Sequence, residues 1–206
     1  MSLFERVLGQ RYGELAPALQ RFHRLAGRHE LHGVVETDPP GSALGRVLAG
    51  LLGSPRRATK GPIRFELDAA PGRETWTRHF PGRTMGSQMH VVGGRVVERM
   101  GAAALTFALE ADGGRLRMRL ERMRLLGIPC PAWLRPRIVA EETGVGERLH
   151  FRIEAHVIVI GQVVGYRGWL SLAQATPADR RDDSHAARGD AQQGVQCAVP
   201  GLTIRR

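Results

Sequence analysis

The sequence predicts a mainly β protein: an antiparallel β-barrel or strongly curved sheet of about ten strands, with N-terminal helices and a helical lid. Three observations predict it. From His29 to Leu172, short runs of period-two alternation recur at regular spacing. Glycine-bearing turns such as Gly93-Gly94 and Asp112-Gly113-Gly114 separate the runs, as hairpins require. Aromatics make up only 5% of the 206 residues against 42% hydrophobic residues, so the core is built mainly from aliphatic side chains. A long series of short strands favours closure, because a barrel leaves no exposed edge. An open antiparallel sheet wrapped around a helix is the competing architecture.

Residues 1–27 read as helical. Leu3, Phe4, Val7 and Leu8 recur at helical spacing, and Leu15, Leu19, Phe22 and Leu25 do so again. Gly13 and Pro17 divide the two runs, and Pro17 suits a first helical turn, where its missing N–H costs nothing. The segment 29–37 is extended, and Asp38-Pro39-Pro40-Gly41 ends it. Ser42 is placed to cap a helix in which Leu44, Val47, Leu48, Leu51 and Leu52 form one apolar stripe. With that stripe as the packing face, either both faces of the helix are covered or it is a loosely held lid. Gly45, Ala49 and Gly50 lie opposite, and the two glycines weaken the helix, as suits a lid over one opening.

Beyond residue 61 the chain reads as strand upon strand. Ile63, Phe65 and Leu67 alternate with Arg64, Glu66 and Asp68; strands follow over 73–80, 88–92, 95–100, 103–110, 115–124, 137–142, 148–157 and 163–172. One helical turn is expected at Ala132–Leu134. One strand, a helical segment and then a long meander is also the layout of small intracellular lipid-binding barrels, a likeness that does not carry function with it. The expected organisation is a single domain over 1–174, with helices at 1–27 and a β domain at 28–174, and a disordered tail over 175–206. The tail holds Arg188-Gly189-Asp190, which its composition makes a chance match.

Net charge is +10, and 29 of the 30 basic residues are arginines, Lys60 being the exception. They are scattered rather than gathered into a run with stacking aromatics, so nucleic acid is not the expected partner. No apolar run reaches the length of a membrane-spanning helix. Glu5 and Arg6 interrupt any leader after Met1, so a cytoplasmic location is expected. Cys130 and Cys197 form no metal or redox spacing, and no metal site or cofactor is expected. The one compact basic cluster, Arg56-Arg57 to Lys60 after the lid helix, allows weak contact with an anionic membrane surface.

Chemistry is sought where polar residues fall on an aromatic strand face. In the segment 72–80, Glu74, Trp76, Arg78 and Phe80 share one face, taken as the inner one. Buried charges require partners, so Glu74 and Arg78 are either an internal ion pair or an anchor for a ligand head group. In the segment 163–170, Tyr166 shares a face with Gly168 and Leu170, while Arg167 and Trp169 share the other. Arg167 either approaches the interior or covers Trp169 by cation–π stacking. Gly165 and Gly168 permit close approach by another group. No nucleophile elbow, zinc-protease motif or phosphate-binding glycine loop occurs.

The segments Gly72-Arg-Glu-Thr-Trp-Thr-Arg78, Leu126-Gly-Ile-Pro-Cys-Pro-Ala-Trp-Leu134 and Tyr166-Arg-Gly-Trp-Leu170, with the opening Leu3–Gly9, resemble a bacterial domain-of-unknown-function family, four-one-six-six. The resemblance spans roughly Leu3 to Leu172. It implies a domain found alone or fused behind a nucleotide-binding reductase-like domain, and so a reductase-like protein as a possible partner. No catalytic residue is carried over from it. Two functions are expected from the residues. One is a binding module for a small apolar or amphiphilic molecule, anchored by Glu74, Trp76, Arg78, Tyr166, Arg167 and Trp169. The other is an enzyme, or a reductase's accessory domain, with Glu74 as acid or base in the same cavity.

Overall fold

In chain order the elements are α1 (Leu3–Leu8), a 3-10 turn (Gly9–Glu14), α2 (Pro17–His23), β1 (Gly27–Thr37) and α3 (Ala43–Leu51). The meander follows: β2 (Thr59–Ala70), β3 (Arg73–Phe80), β4 (Arg83–Val92), β5 (Arg95–Met100), β6 (Ala103–Asp112) and β7 (Arg115–Leu125). It ends with β8 (Ile128–Pro129), β9 (Arg137–Val145), β10 (Arg148–Val157), β11 (Gly161–Ser171) and β12 (Thr176–Pro177). This computed structural model describes residues 1–173 and the backbone of Thr176–Pro177. The rest of the expected tail, Arg188-Gly189-Asp190 included, lies outside the described residues.

Six two-residue turns direct the meander, joining Ala70 to Arg73, Phe80 to Arg83, Val92 to Arg95, Met100 to Ala103, Asp112 to Arg115 and Val145 to Arg148. Gly93 and Gly94 both have positive φ, the backbone that lets a two-residue turn match strand twist. Every strand pairing is antiparallel, and β11 pairs with β1, so ten strands close into a barrel. The open-sheet alternative is thereby excluded. β8 only extends the edge of β7, and β12 adds to β1 beyond the closure.

Closure depends on two glycines at the seam. A Cβ at Gly33 would overlap the Trp169 carbonyl oxygen, and one at Gly168 would overlap the Val34 carbonyl oxygen. The group that Gly168 lets approach is therefore the backbone of β1. At Gly165 it is the side-chain amide of Gln162.

The N-terminal helices plug the end of the barrel where β1, β3, β5, β7 and β10 begin. Ser2 caps α1 reciprocally with Glu5, and Pro17 opens α2. Ala16 N–H donates to the Gly114 carbonyl at 2.9 Å, and Ala18 packs against Gly144. Phe4, Leu19 and Phe22 are buried in the core; Phe4 stacks on Trp76 at 6.2 Å, and Phe22 meets Phe65 at 5.8 Å and Trp76 at 5.7 Å, edge to face with the latter. Each buried Phe contributes on the order of 1.5–3 kcal/mol, which is how helices of six and seven residues hold their shape.

α3 lies at the other end, and it is turned over relative to the sequence reading. Ser42 does cap it, accepting from Gly45 N–H at 3.0 Å and donating to the Ile160 carbonyl at 2.8 Å. Gly45 and Ala49 face the barrel, while Leu44, Val47 and Leu51 are 54%, 59% and 46% exposed. Only Leu48 and Leu52 of the stripe reach the core. The barrel offers α3 the backbone of β11, the Gln162 carbonyl standing 3.0 Å from where a Gly45 Cβ would be. Small residues allow that approach and leucines do not.

The wall has one weak place. β7 and β9 pair only at Leu116–Glu142 and Arg117–Glu141, near the plugged end. Towards the α3 end the strands part, and residues 128–135 fold along the β7 edge instead, with Cys130 N–H donating to the Met123 carbonyl at 2.8 Å. The expected helical turn is present there as a bend closed by Leu134 N–H on the Pro131 carbonyl, 3.0 Å. No helix among the described residues is long and apolar enough to cross a membrane.

The seam is testable. Gly168→Ala is expected to cost about 3 kcal/mol in urea unfolding, because the clash is with backbone. Gly86→Ala, in β4 with nothing within 4 Å, is expected to change little. Equal stability of the two variants would refute the close approach.

Candidate binding site

The alternation of β3 turns Glu74, Trp76, Arg78 and Phe80 inward, and all four are buried. Glu74 and Arg78 do not pair with each other. Four residues along a strand span about 13 Å, which is beyond the reach of both side chains. Each finds its partner on a different element. Arg78 Nη1 donates to Ser87 Oγ at 3.1 Å, and its Nη2 lies 3.8 Å from the Glu98 carboxylate of β5. The guanidinium stacks over Trp76 at 5.0 Å and Phe65 at 5.7 Å.

Glu74 accepts a hydrogen bond from Trp76 Nε1 at 3.0 Å. Burial pushes its carboxyl above the ordinary range, a shift opposed by His23 and the Trp76 hydrogen bond. His23, the last residue of α2, is held between Phe4, at 3.8 Å between ring centroids, and Glu142 of β9, at 2.8 Å from Nε2. His23 Nδ1 is buried and has no hydrogen-bond partner among the described residues. Glu74, His23 and Glu142 thus form a buried polar floor.

Above that floor lies a cavity of about 90 Å³. Trp76, Arg78, Glu98, Glu141, Glu142 and Tyr166 supply its polar lining, and Glu74 is not part of it. Its apolar wall includes Met89, Met100, Met118 and Met123, four of the six methionines in the chain. Leu52, Met123, Pro136 and Ile138 place its upper part under α3 and at the parting of β7 and β9. A second void of about 30 Å³ lies beyond Trp76, Arg78, Glu142 and Ile153, which line both. Tyr166 is buried against Phe80 at 5.2 Å, and burial raises its hydroxyl pKa while the nearby Arg78 charge opposes the rise.

Arg167 and Trp169 are elsewhere. Both point outward from β11, so neither expected role for Arg167 holds. It is ion-paired with Glu36 at 2.8 Å and Asp38 at 3.0 Å, and the cation over Trp169 is Arg148, at 4.3 Å. Both residues line an open groove of about 470 Å³ on the outer wall, with Lys60 and His150. The reason is parity: Tyr166 is inward, so its neighbour must be outward. Of the residues named from sequence, the structure therefore brings Trp76, Arg78 and Tyr166 together at the cavity.

Glu98, Glu142 and His23 were not singled out by sequence. Glu98 sits between Val96 and Met100 on an otherwise apolar face, the same signal that marked Arg78. Glu142 shares a face with Ile138 and Ala140. His23 had no such signal, because its partner arrives from 119 residues away.

The raised Glu74 pKa gives a pH signature. A carboxyl that holds its proton more tightly when folded favours the fold below its unfolded pKa, and that contribution is lost as pH rises through the folded pKa. Glu74→Gln, which keeps an acceptor for Trp76, is expected to gain stability relative to the parent as pH rises from about 4 towards 7. Denaturation measured across that range checks it. A difference independent of pH would show that folding does not raise the Glu74 pKa.

Among curated proteins none matches the chain. Among solved structures it is similar to Rv2717c from M. tuberculosis, with 12% identity and a TM-score of 0.41, covering 76% of this chain and 98% of that one. The family described as "Domain of unknown function (DUF4166)" matches residues 15–170. That span holds all three internal segments that carried the resemblance and omits the Leu3–Gly9 opening. With most of its length matched, the chain belongs to the DUF4166 family.

Proposed function

We propose that the protein binds a compact amphiphilic molecule inside the barrel, its apolar body against the methionine wall and its acidic or carbonyl head at Arg78. The observation that carries this reading is the state of Arg78. Its five N–H donors meet one protein hydrogen bond at 3.1 Å, and Glu98 is too distant for a second. The guanidinium lines an otherwise largely apolar cavity, so it retains donors for a ligand acceptor. Four flexible thioethers let the wall adapt to shape. A cavity of about 90 Å³ suits a small ligand, since drug-sized sites run to roughly 300–1,000 Å³. Catalysis by Glu74 loses its support, because that carboxyl is off the cavity lining and hydrogen-bonded to Trp76.

Native mass spectrometry of the purified protein tests whether a small molecule is retained. Hexanoate and hexanol then separate head from body. Hexanoate is expected to bind more tightly than hexanol, and Arg78→Met to weaken hexanoate about tenfold, or about 1.4 kcal/mol, with hexanol unchanged. Glu98→Gln, which keeps the cation and removes its nearest carboxylate, is expected to strengthen hexanoate binding. Equal affinities for the acid and the alcohol in the parent protein would overturn the assignment of Arg78.

A further inference from the structure

The exposed apolar side chains of the barrel are concentrated at one end. Leu44, Val47 and Leu51 come from α3, Leu126, Ile128 and Trp133 from the segment after β7, and Ile158 and Val159 from the turn after β10. The strand directions place all three segments at the end opposite the helical plug. Hydrogen bonds join them into one rim. Ser42 Oγ donates to the Ile160 carbonyl, Ala102 N–H to the Leu51 carbonyl at 3.3 Å, and Leu126 N–H to the Ala102 carbonyl at 2.8 Å. Such a continuous apolar edge marks a contact surface.

Charge identifies what it contacts. Arg46, Arg56, Arg57, Lys60, Arg124 and Arg137 are exposed on or beside this rim. None of them pairs with a carboxylate among the described residues. The connections at this end, residues 38–58, 81–82, 101–102, 126–136 and 158–160, contain one acidic residue, Asp38, and Arg167 already neutralises it. The plugged end carries more acid: Glu14, Glu147 and Glu5 pair there with Arg11, Arg21 and Arg24, although Arg6, Arg73, Arg115 and Arg148 at that end have no carboxylate partner among the described residues. An apolar rim flanked by unpaired cations fits the surface of an anionic bilayer, where apolar side chains enter the interface and cations meet lipid phosphates.

We propose that the α3 end of the barrel docks on anionic membrane surfaces. Val47 and Trp133 enter the interface, and Arg46, Arg56 and Arg57 face the head groups. The parting of β7 and β9, and with it the upper cavity, then opens towards the membrane. This docking does not depend on what the cavity binds.

Sedimentation with vesicles of phosphatidylcholine alone, or mixed with phosphatidylglycerol, tests the proposal on the full chain. The protein is expected to pellet with the anionic vesicles only, and to be released as salt is raised. Tryptophan emission is expected to shift to the blue on binding, and Trp133→Phe to lose the shift. Val47→Asp, and separately Arg56→Glu with Arg57→Glu, are expected to weaken partition about tenfold, while the fold is checked by circular dichroism. Arg78→Met is expected to leave partition unchanged, which separates this surface from the cavity. Equal partition to both vesicle types, or anionic binding that survives the rim substitutions, would overturn it. Lipid-free self-association abolished by Val47→Asp would overturn it as well, by assigning the rim to a second copy of the chain.

Discussion

The backbone approach of β1 to β11 is the constraint on which the rest of the structure depends. Without it the sheet has two edges and no inside. Gly33 and Gly168 remove the side chains that would hold the strands apart. Once the strands meet, parity along each one decides which residues are enclosed. Trp76, Arg78, Glu98, Glu142 and Tyr166 are buried together because four different strands present inward positions to one space. The helices from the N-terminus then fill one end with Phe4, Leu19 and Phe22, and so the cavity is left at the other.

Enclosing charge in that space is unfavourable unless each group is answered. The protein answers them unequally. Glu142 has His23 at hydrogen-bond distance, and Glu74 has the Trp76 indole and a shift towards its neutral form. Arg78 cannot lose its charge, and it has only Ser87, the faces of two aromatic rings and a carboxylate at 3.8 Å. The least satisfied buried group therefore stands on the cavity wall, where a ligand can complete its shell.

The two ends differ in kind. The plug end is sealed by apolar helices, with Glu5, Glu14 and Glu147 pairing with Arg24, Arg11 and Arg21 around it. The α3 end is held by backbone contacts of small residues, beside a wall where β7 and β9 share only two ladder positions. Docking α3 by Gly45 and Ala49 commits Leu44, Val47 and Leu51 to the outside. The same choice of contact that brings the helix close to β11 builds the apolar rim.

Much of this architecture was legible in the chain. Strand alternation, two-residue turns and the Ser42 cap are local properties, set by φ and ψ preferences over a few residues, and they predicted the strands, the hairpins and the inward face of Trp76 and Arg78, while leaving open whether Tyr166 or Arg167 faces inward. Family membership was legible for a similar reason, since its motifs are short and fall in order. Partnership was not legible. Arg78 was matched with Glu74 on its own strand, although the pleat keeps residues four apart too distant to touch, and its carboxylate came from β5. Nor could the chain show that β11 carries Arg167 to Glu36 and Asp38, or that α3 lies on its small-residue face. A side chain's direction follows from its own strand, but its neighbour is decided by closure and register, which only the tertiary structure supplies.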